Sequence, residues 1–170
     1  MASPSNIKLL VLDVDGVLTD GALIYDDNGV ETKRFHVRDG FGIRAAMQMG
    51  IKVGVVTARS SRVVSLRLAE LGVDLYVHGM DNKAIGLEMV TQQAGVEFEE
   101  TAYLGDDILD LPAMVRCGYP MAVADAADEV RDVARFVTTA PGGRGAVREA
   151  AEHLLRAQGH WDAVLERFGE

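Results

Sequence analysis

The chain has 170 residues, of which 48 % are apolar and 25 % are charged, and this composition is typical of a single globular domain. Acidic residues number 26 against 17 lysines and arginines, so the net charge of −9 disfavours nucleic acid and anionic membranes as partners. One cysteine excludes an internal disulfide, no apolar run is long enough to cross a bilayer, and residues 1–6 do not resemble a secretory leader, so we expect a cytoplasmic protein.

Short apolar runs bounded by turn residues recur along the chain and predict strands that are buried on both faces. Six such runs are present: 7–12, 51–56, 74–78, 102–104, 120–123 and 135–138. Apolar residues spaced three and four apart lie between them. This spacing predicts helices over 42–49, 60–71, 83–94, 108–115 and 126–133. The alternation predicts an α/β fold over residues 1–170, with a Rossmann-like, mostly parallel sheet flanked by helices.

Two segments do not follow the alternation. Apolar residues over 22–25 and 30–37 flank an Asn-Gly pair, which predicts a protruding β-hairpin over residues 22–37. Its apolar side chains need cover, either from the hairpin's own domain or from hairpins of other subunits. The second segment is a C-terminal tail over residues 141–170, which begins glycine-rich and continues with an amphipathic stretch over 146–157 and a last segment over 161–168.

Polar residues follow the predicted strands at their carboxyl ends, which is the edge where open α/β sheets bind ligands. Asp13 and Asp15 follow the first strand and Thr57 follows the second. Lys83 begins the helix after the third strand, and three acids follow the fourth: Asp106, Asp107 and Asp110. Each element alone has an ordinary explanation as a turn, a helix cap or a solvated lysine. Two carboxylates about 4 Å apart repel by about 4 kcal/mol at an effective dielectric of about 20, so a converging set requires a cation, and an all-oxygen set favours Mg²⁺.

In this order, the four elements resemble the four sequence motifs of the haloacid dehalogenase superfamily. Residues 13–19, Asp-Val-Asp-Gly-Val-Leu-Thr, resemble the first motif, and Thr57 and Lys83 match the second and third. Residues 105–110, Gly-Asp-Asp-Ile-Leu-Asp, resemble the fourth. The phosphate-binding loop, zinc-protease and serine-hydrolase motifs are missing from the sequence.

The resemblance implies a covalent phosphatase mechanism. Asp13 would attack phosphorus in line and form an aspartyl-phosphate, and Asp15 would protonate the departing alcohol and later take a proton from water. Dehalogenases of the superfamily lack this second acid, so Asp15 favours a phosphatase, with a phosphomutase as the weaker alternative. Mg²⁺ would be held by the Asp13 carboxylate, the Asp15 main-chain carbonyl and Asp106.

The remaining motif residues are expected to bind the phosphate group or to support those that do. Thr57 and Lys83 would contact phosphate oxygens. Asp107 or Asp110 would orient Lys83 or a water on the metal, with Asp110 the preferred candidate.

Within the superfamily, the chain resembles the capless 3-deoxy-D-manno-octulosonate 8-phosphate (KDO 8-phosphate) phosphatases. The similar segments span nearly the whole chain: 13–21, 37–40, 42–43, 103–110, 122–126 and 142–149. The intervals between the motifs are too short for a separate cap domain. The resemblance implies hydrolysis of KDO 8-phosphate in lipopolysaccharide precursor synthesis. It also implies a homotetramer in which the hairpins assemble together and each tail reaches a neighbouring active site.

The implied substrate carries a phosphate and a carboxylate, so local cations must bind it despite the net negative charge of the protein. Arg59, Arg67 and Arg144 are the candidates, because a guanidinium matches carboxylate or phosphate oxygens, although each can also be a solvated surface arginine. Ala58 belongs to the expected phosphate-binding loop, where the octulosonate enzymes usually carry glycine.

Three alternatives stay open at this point. The substrate could be a nine-carbon relative such as 2-keto-3-deoxynononate 9-phosphate. A regulatory phospho-aspartate domain also combines acids, a threonine and a lysine, but it usually places adjacent acids on the first strand. A degenerate, non-catalytic scaffold is disfavoured, because every predicted catalytic position is filled.

Overall fold

The computed structural model describes residues 3–167. Within them lie the strands β1 (Leu9–Leu12), β2 (Ile24–Tyr25), β3 (Glu31–Thr32), β4 (Lys52–Val56), β5 (Leu75–Val77), β6 (Thr101–Gly105), β7 (Tyr119–Ala122) and β8 (Phe136–Val137). Six of them form one sheet in the order β5-β4-β1-β6-β7-β8, and every pairing in it is parallel. β1 is central and all four of its residues are buried, as expected for a strand covered on both faces. The predicted α/β fold is confirmed.

Helices flank this sheet. They are α1 (Val37–Gln48), α2 (Arg62–Leu71), α3 (Lys83–Ala94), α4 (Leu111–Met114), α5 (Asp128–Val133), α6 (Ala146–Ala157) and α7 (Trp161–Glu166). The predictions for α3 and α6 match to the residue, and Gly72 and Gly95 take the left-handed conformation that caps α2 and α3. The last segment named in the tail, 161–168, ends at Phe168, which lies outside the described residues. Among the described residues, no helix has both the length and the hydropathy needed to cross a bilayer.

The hairpin is shorter than predicted. Its strands β2 and β3 have two residues each, joined through a turn in which Gly29 has a φ of 76°. The ladder ends at Thr32, and the next residue, Lys33, forms an ion pair with Asp15 in the loop after β1.

The first helix begins earlier than predicted, at Val37 instead of residue 42. Gly40 and Gly42 have low helix propensity and hid its first turn in the sequence. Gly42 lies where α6 approaches α1, and a Cβ at Gly42 would come within 2.7 Å of the Cα of Arg148. Close packing of the two helices therefore explains the glycine.

The predicted helix over 108–115 is divided in two. A 3₁₀ turn over Ile108–Asp110 precedes α4, and Pro112 occupies the first turn of α4, where its missing N–H is tolerated. Asp107 and Asp110 form a reciprocal capping box around the 3₁₀ turn. The division places the Asp110 side chain beneath the end of β6.

Candidate active site

The carboxyl ends of β1, β4 and β6 surround a cavity of about 210 Å³. It is lined by Asp13, Asp15, Thr57, Ala58, Arg59, Lys83, Asp106, Asp107 and Leu109. All of these except Leu109 were predicted site residues. The structure therefore brings the four motifs to one place.

Lys83 connects two of the acids at the floor of the cavity. Its ammonium lies 2.8 Å from Oδ1 of Asp13 and 2.6 Å from Oδ1 of Asp110, and its side chain is 4 % exposed. The solvated-lysine explanation is therefore excluded. Asn82 caps the helix that Lys83 begins by accepting a hydrogen bond from the Ala84 amide, which fixes the start of α3 beside the cavity.

Asp110 is a fully buried hydrogen-bond acceptor. Its Oδ1 accepts from Lys83 and from the Tyr103 hydroxyl (2.8 Å), and its Oδ2 accepts from the amides of Asp106 (2.9 Å) and Asp107 (3.2 Å). Asp107 instead accepts from the Ile108 amide (2.7 Å). Of the two candidates for orienting Lys83, only Asp110 contacts it.

The cluster carries more negative than positive charge. Burial raises the pKa of Asp13 to about 7, and the charge of Asp110 adds to this while Lys83 opposes it. Burial, together with the charges of Asp110 and Asp13, raises the pKa of Asp106 to about 8. Burial opposes the charged form of Lys83, but Asp13 and Asp110 outweigh it and raise the lysine pKa. Three carboxylates thus share one ammonium.

These carboxylates fit a divalent cation. One oxygen from each of Asp13, Asp106 and Asp110 lies within 4.8 Å of the others. Both Asp110 oxygens already accept hydrogen bonds, whereas Oδ1 of Asp106 is buried and has no partner among residues 3–167. Gly16 leaves room for Asp106, because a Cβ there would lie 1.9 Å from Oδ2 of Asp106. Asp13 and Asp106 are therefore the side chains best placed to hold Mg²⁺.

The hairpin contributes residues that the sequence analysis missed. Lys33 forms an ion pair with Asp15 and lies 3.4 Å from Glu31. Glu31 also accepts hydrogen bonds from Arg59 (3.0 Å) and from the Ser61 hydroxyl (2.5 Å), and these contacts lower its pKa. The sequence held one signal for them: Glu31 and Lys33 are two residues apart, so in an extended chain their side chains lie on the same face.

Arg59 lies at the rim of the cavity, close to Asp15. Its Nε is 3.7 Å from Oδ2 of Asp15, and its NH2 group donates to the hydroxyl of Tyr25 (2.9 Å) and to Glu31. The arginine is therefore held between the hairpin and the loop after β4.

The other two predicted arginines lie in separate clefts of the protomer. Arg67 pairs with Glu70 (3.2 Å) in a cleft that also contains Phe41. Arg144 lies beside Asp20 in a third cleft, near the base of the hairpin. Neither arginine lines the cavity with Asp13, and their assignment to substrate binding stays a prediction.

Comparison with known proteins gives matches over most of the chain. Residues 77–147 match the family described as haloacid dehalogenase-like hydrolase. The chain is 47 % identical over 154 residues to the 3-deoxy-D-manno-octulosonate 8-phosphate phosphatase KdsC of Haemophilus influenzae, covering 91 % of this chain and 86 % of the relative. It is 45 % identical over 162 residues to KdsC of Escherichia coli strain B, covering 95 % of this chain and 86 % of the relative.

A solved structure is similar over nearly the full length of both chains. It is a 3-deoxy-D-manno-octulosonate 8-phosphate phosphatase from Moraxella catarrhalis, in complex with a magnesium ion, a phosphate ion and a KDO molecule. The TM-score is 0.94 at 42 % identity, and the match covers 97 % of this chain and 95 % of that chain.

Proposed function

Because the chain belongs to the 3-deoxy-D-manno-octulosonate 8-phosphate phosphatases of the haloacid dehalogenase-like hydrolases, we propose that it hydrolyses KDO 8-phosphate to the free sugar acid and phosphate. The observation that carries this proposal is the convergence of all four motifs on one cavity, with Lys83 bridging Asp13 and Asp110. The product is the sugar acid used in lipopolysaccharide precursor synthesis.

Asp13 is the nucleophile of the proposed reaction. Lys83 holds one oxygen of its carboxylate and so restricts the orientation of the group. A carboxylate oxygen of Asp13 forms a bond to phosphorus while the bond from phosphorus to the sugar oxygen breaks. Asp15 gives a proton to that oxygen as the alcohol leaves. It then takes a proton from the water that attacks the phospho-aspartate, which releases phosphate and restores Asp13.

The phosphate group is bound by Thr57 and Lys83. The Thr57 hydroxyl accepts a hydrogen bond from the Arg59 amide (3.3 Å), so it can still donate its own hydrogen to a phosphate oxygen. Mg²⁺ would be held by Asp13, Asp106 and the main-chain carbonyl of Asp15. Its charge would offset that of the carboxylates and of the phosphate dianion. Asp110 accepts one hydrogen bond from Lys83 and keeps it in place, while three others, from the Tyr103 hydroxyl and two backbone amides, fix Asp110 itself.

We also propose that the protein is a homotetramer whose hairpins cover one another. Leu23 and Val30 of the hairpin are 51 % and 59 % exposed in the protomer, and a capless site needs cover from another chain to exclude water. In such an assembly, Arg67 and Arg144 would act at a site shared between subunits. A reducing, cytoplasmic location suits a chain whose one cysteine, Cys117, is buried and free.

The test of the proposed function is Mg²⁺-dependent phosphate release from KDO 8-phosphate, measured beside the nine-carbon 2-keto-3-deoxynononate 9-phosphate. We expect many turnovers with the octulosonate, a lower kcat/KM with the nine-carbon substrate, and no turnover by Asp13→Asn. Asp162→Asn, at an exposed position on α7 that does not line the cavity, is the matched control. A single stoichiometric release would support the regulatory alternative instead. Equal activity of wild type and Asp13→Asn would remove Asp13 from the nucleophile role.

A further inference from the structure

The hairpin carries a buried lysine into the active site. The side chain of Lys33 is only 1 % exposed, and its ammonium pairs with Asp15 and lies near Glu31. A buried ammonium is unfavourable unless opposite charges surround it, so the two carboxylates explain why Lys33 can be buried there. Lys33 follows a strand of only two residues, and its contact with Asp15 joins the hairpin to the loop after β1.

The acids of the site fall into two groups with different partners. Asp13 and Asp110 pair with Lys83 at the floor of the cavity. Asp15 pairs instead with Lys33 through Oδ1, and Arg59 approaches its Oδ2 more loosely, at 3.7 Å. Arg59 is also 42 % exposed, so Lys33 is the stronger restraint on the Asp15 side chain.

We propose that Lys33 is a positioning residue that directs the Asp15 carboxyl group toward the leaving oxygen of the substrate. This inference rests on the proposed function, in which Asp15 transfers the proton. Lys33 itself transfers no proton and contacts no reacting atom. Glu31 completes the arrangement, because it contacts Lys33, Arg59 and Ser61 and thereby fixes the hairpin over the loop after β4.

Because Asp15 matters only for leaving groups that need a proton, substrates with different leaving groups can reveal whether Lys33 positions it. An alkoxide such as that of the sugar needs a proton as it departs, whereas nitrophenolate and acetate leave without one. Loss of correct Asp15 placement should therefore slow KDO 8-phosphate far more than p-nitrophenyl phosphate or acetyl phosphate. The quantity to compare is kcat/KM, because it includes only the steps up to departure of the leaving group and not hydrolysis of the phospho-aspartate.

The decisive variant is Lys33→Gln, which keeps much of the side-chain length and removes the charge. We expect its kcat/KM for KDO 8-phosphate to fall by about 100-fold, the lower end of what proton transfer contributes, and to fall by less than about 5-fold for p-nitrophenyl phosphate and acetyl phosphate. Lys33→Arg, which keeps the charge, should recover part of the loss. Lys8→Gln is the matched control. Lys8 pairs with Glu100 at the amino ends of β1 and β6, away from the cavity, so this variant should change none of these values.

Asp15→Asn, measured on the same three substrates, separates failure of this inference from failure of the proposed function. If Asp15→Asn shows the selective loss but Lys33→Gln loses activity equally on all three substrates, Lys33 has a general structural or phosphate-binding role and the inference is wrong. It is also wrong if Lys33→Gln changes nothing. If Asp15→Asn shows no selectivity, the proton-transfer role of Asp15 fails and the inference fails with it. Activity retained on nitrophenyl phosphate, together with a cooperative thermal unfolding transition, shows that the Lys33→Gln site is folded.

Discussion

Gly16→Ala tests whether the room left beside Asp106 is needed for catalysis. Gly16 has a φ of 96°, and a Cβ there would lie 1.9 Å from Oδ2 and 2.5 Å from Cγ of Asp106. The left-handed backbone alone makes alanine unfavourable by about 1–2 kcal/mol. Because the overlap exceeds 1 Å, the carboxylate must also move by roughly that distance, and a displacement of about 1 Å can reduce catalysis by about 100-fold.

Gly72→Ala is the matched control for this variant. Gly72 has a φ of 78° at the end of α2, but apart from its chain neighbours no atom of residues 3–167 lies within 4 Å of a Cβ added there. We expect both variants to lose about 1–2 kcal/mol of unfolding free energy in urea. Only Gly16→Ala should lose about 100-fold in kcat/KM and require more Mg²⁺ for half-maximal activity. If Gly16→Ala keeps its Mg²⁺ requirement and its activity within about 3-fold of Gly72→Ala, the room beside Asp106 is not needed for catalysis.

Three further predictions follow from buried groups. The Asp110→Asn side chain can accept hydrogen bonds on only one oxygen, and each buried hydrogen bond to a charged group is worth about 1.5–3 kcal/mol. We therefore expect the unfolding free energy, measured by urea titration, to fall by about 3 kcal/mol. Phosphatase activity, measured as phosphate release, should fall by about 100-fold. Unchanged values would show that Lys83 does not depend on Asp110. Burial lowers the pKa of His153, and the charge of Glu149 opposes this shift. The imidazole therefore binds a proton more tightly in the unfolded state than in the folded state. As the pH decreases from about 6.5, the unfolding free energy of the wild type should decrease by at most about 1.4 kcal/mol per pH unit. The His153→Gln variant, measured by urea titration at several pH values, should show a shallower fall, and an equal fall would exclude His153 as the cause. Burial raises the pKa of Cys117 to about 12, so a thiol reagent at pH 8 should label the native protein far more slowly than the unfolded protein, and equal rates would contradict its burial.

The fold was predictable because its signals are local and strong. Each buried parallel strand appears as a short apolar run, and α3 and α6 carry capping glycine or amphipathic patterns that mark their ends. The start of α1 was not predictable from propensity, since Gly42 is required by close packing against α6, a contact between residues far apart in the chain.

The motif side chains were predictable because the carboxyl ends of parallel strands share one edge of the sheet. The division between Asp107 and Asp110 was not, because it depends on the 3₁₀ turn that rotates Asp110 beneath β6. Lys33 and Glu31 were missed for a related reason. The sequence indicates a hairpin, but the direction in which the hairpin folds back onto the site is a tertiary property that no local pattern contains.

Acid-quench labelling during turnover detects the phospho-aspartate on Asp13 itself. Wild-type protein is mixed with ³²P-labelled KDO 8-phosphate and Mg²⁺, quenched in acid within milliseconds, digested and mapped. We expect label on the peptide that contains Asp13, at a level that rises and decays with turnover, and no label in Asp13→Asn. Label on a different residue, or phosphate release at the full rate with no labelled protein at any time, would contradict this mechanism.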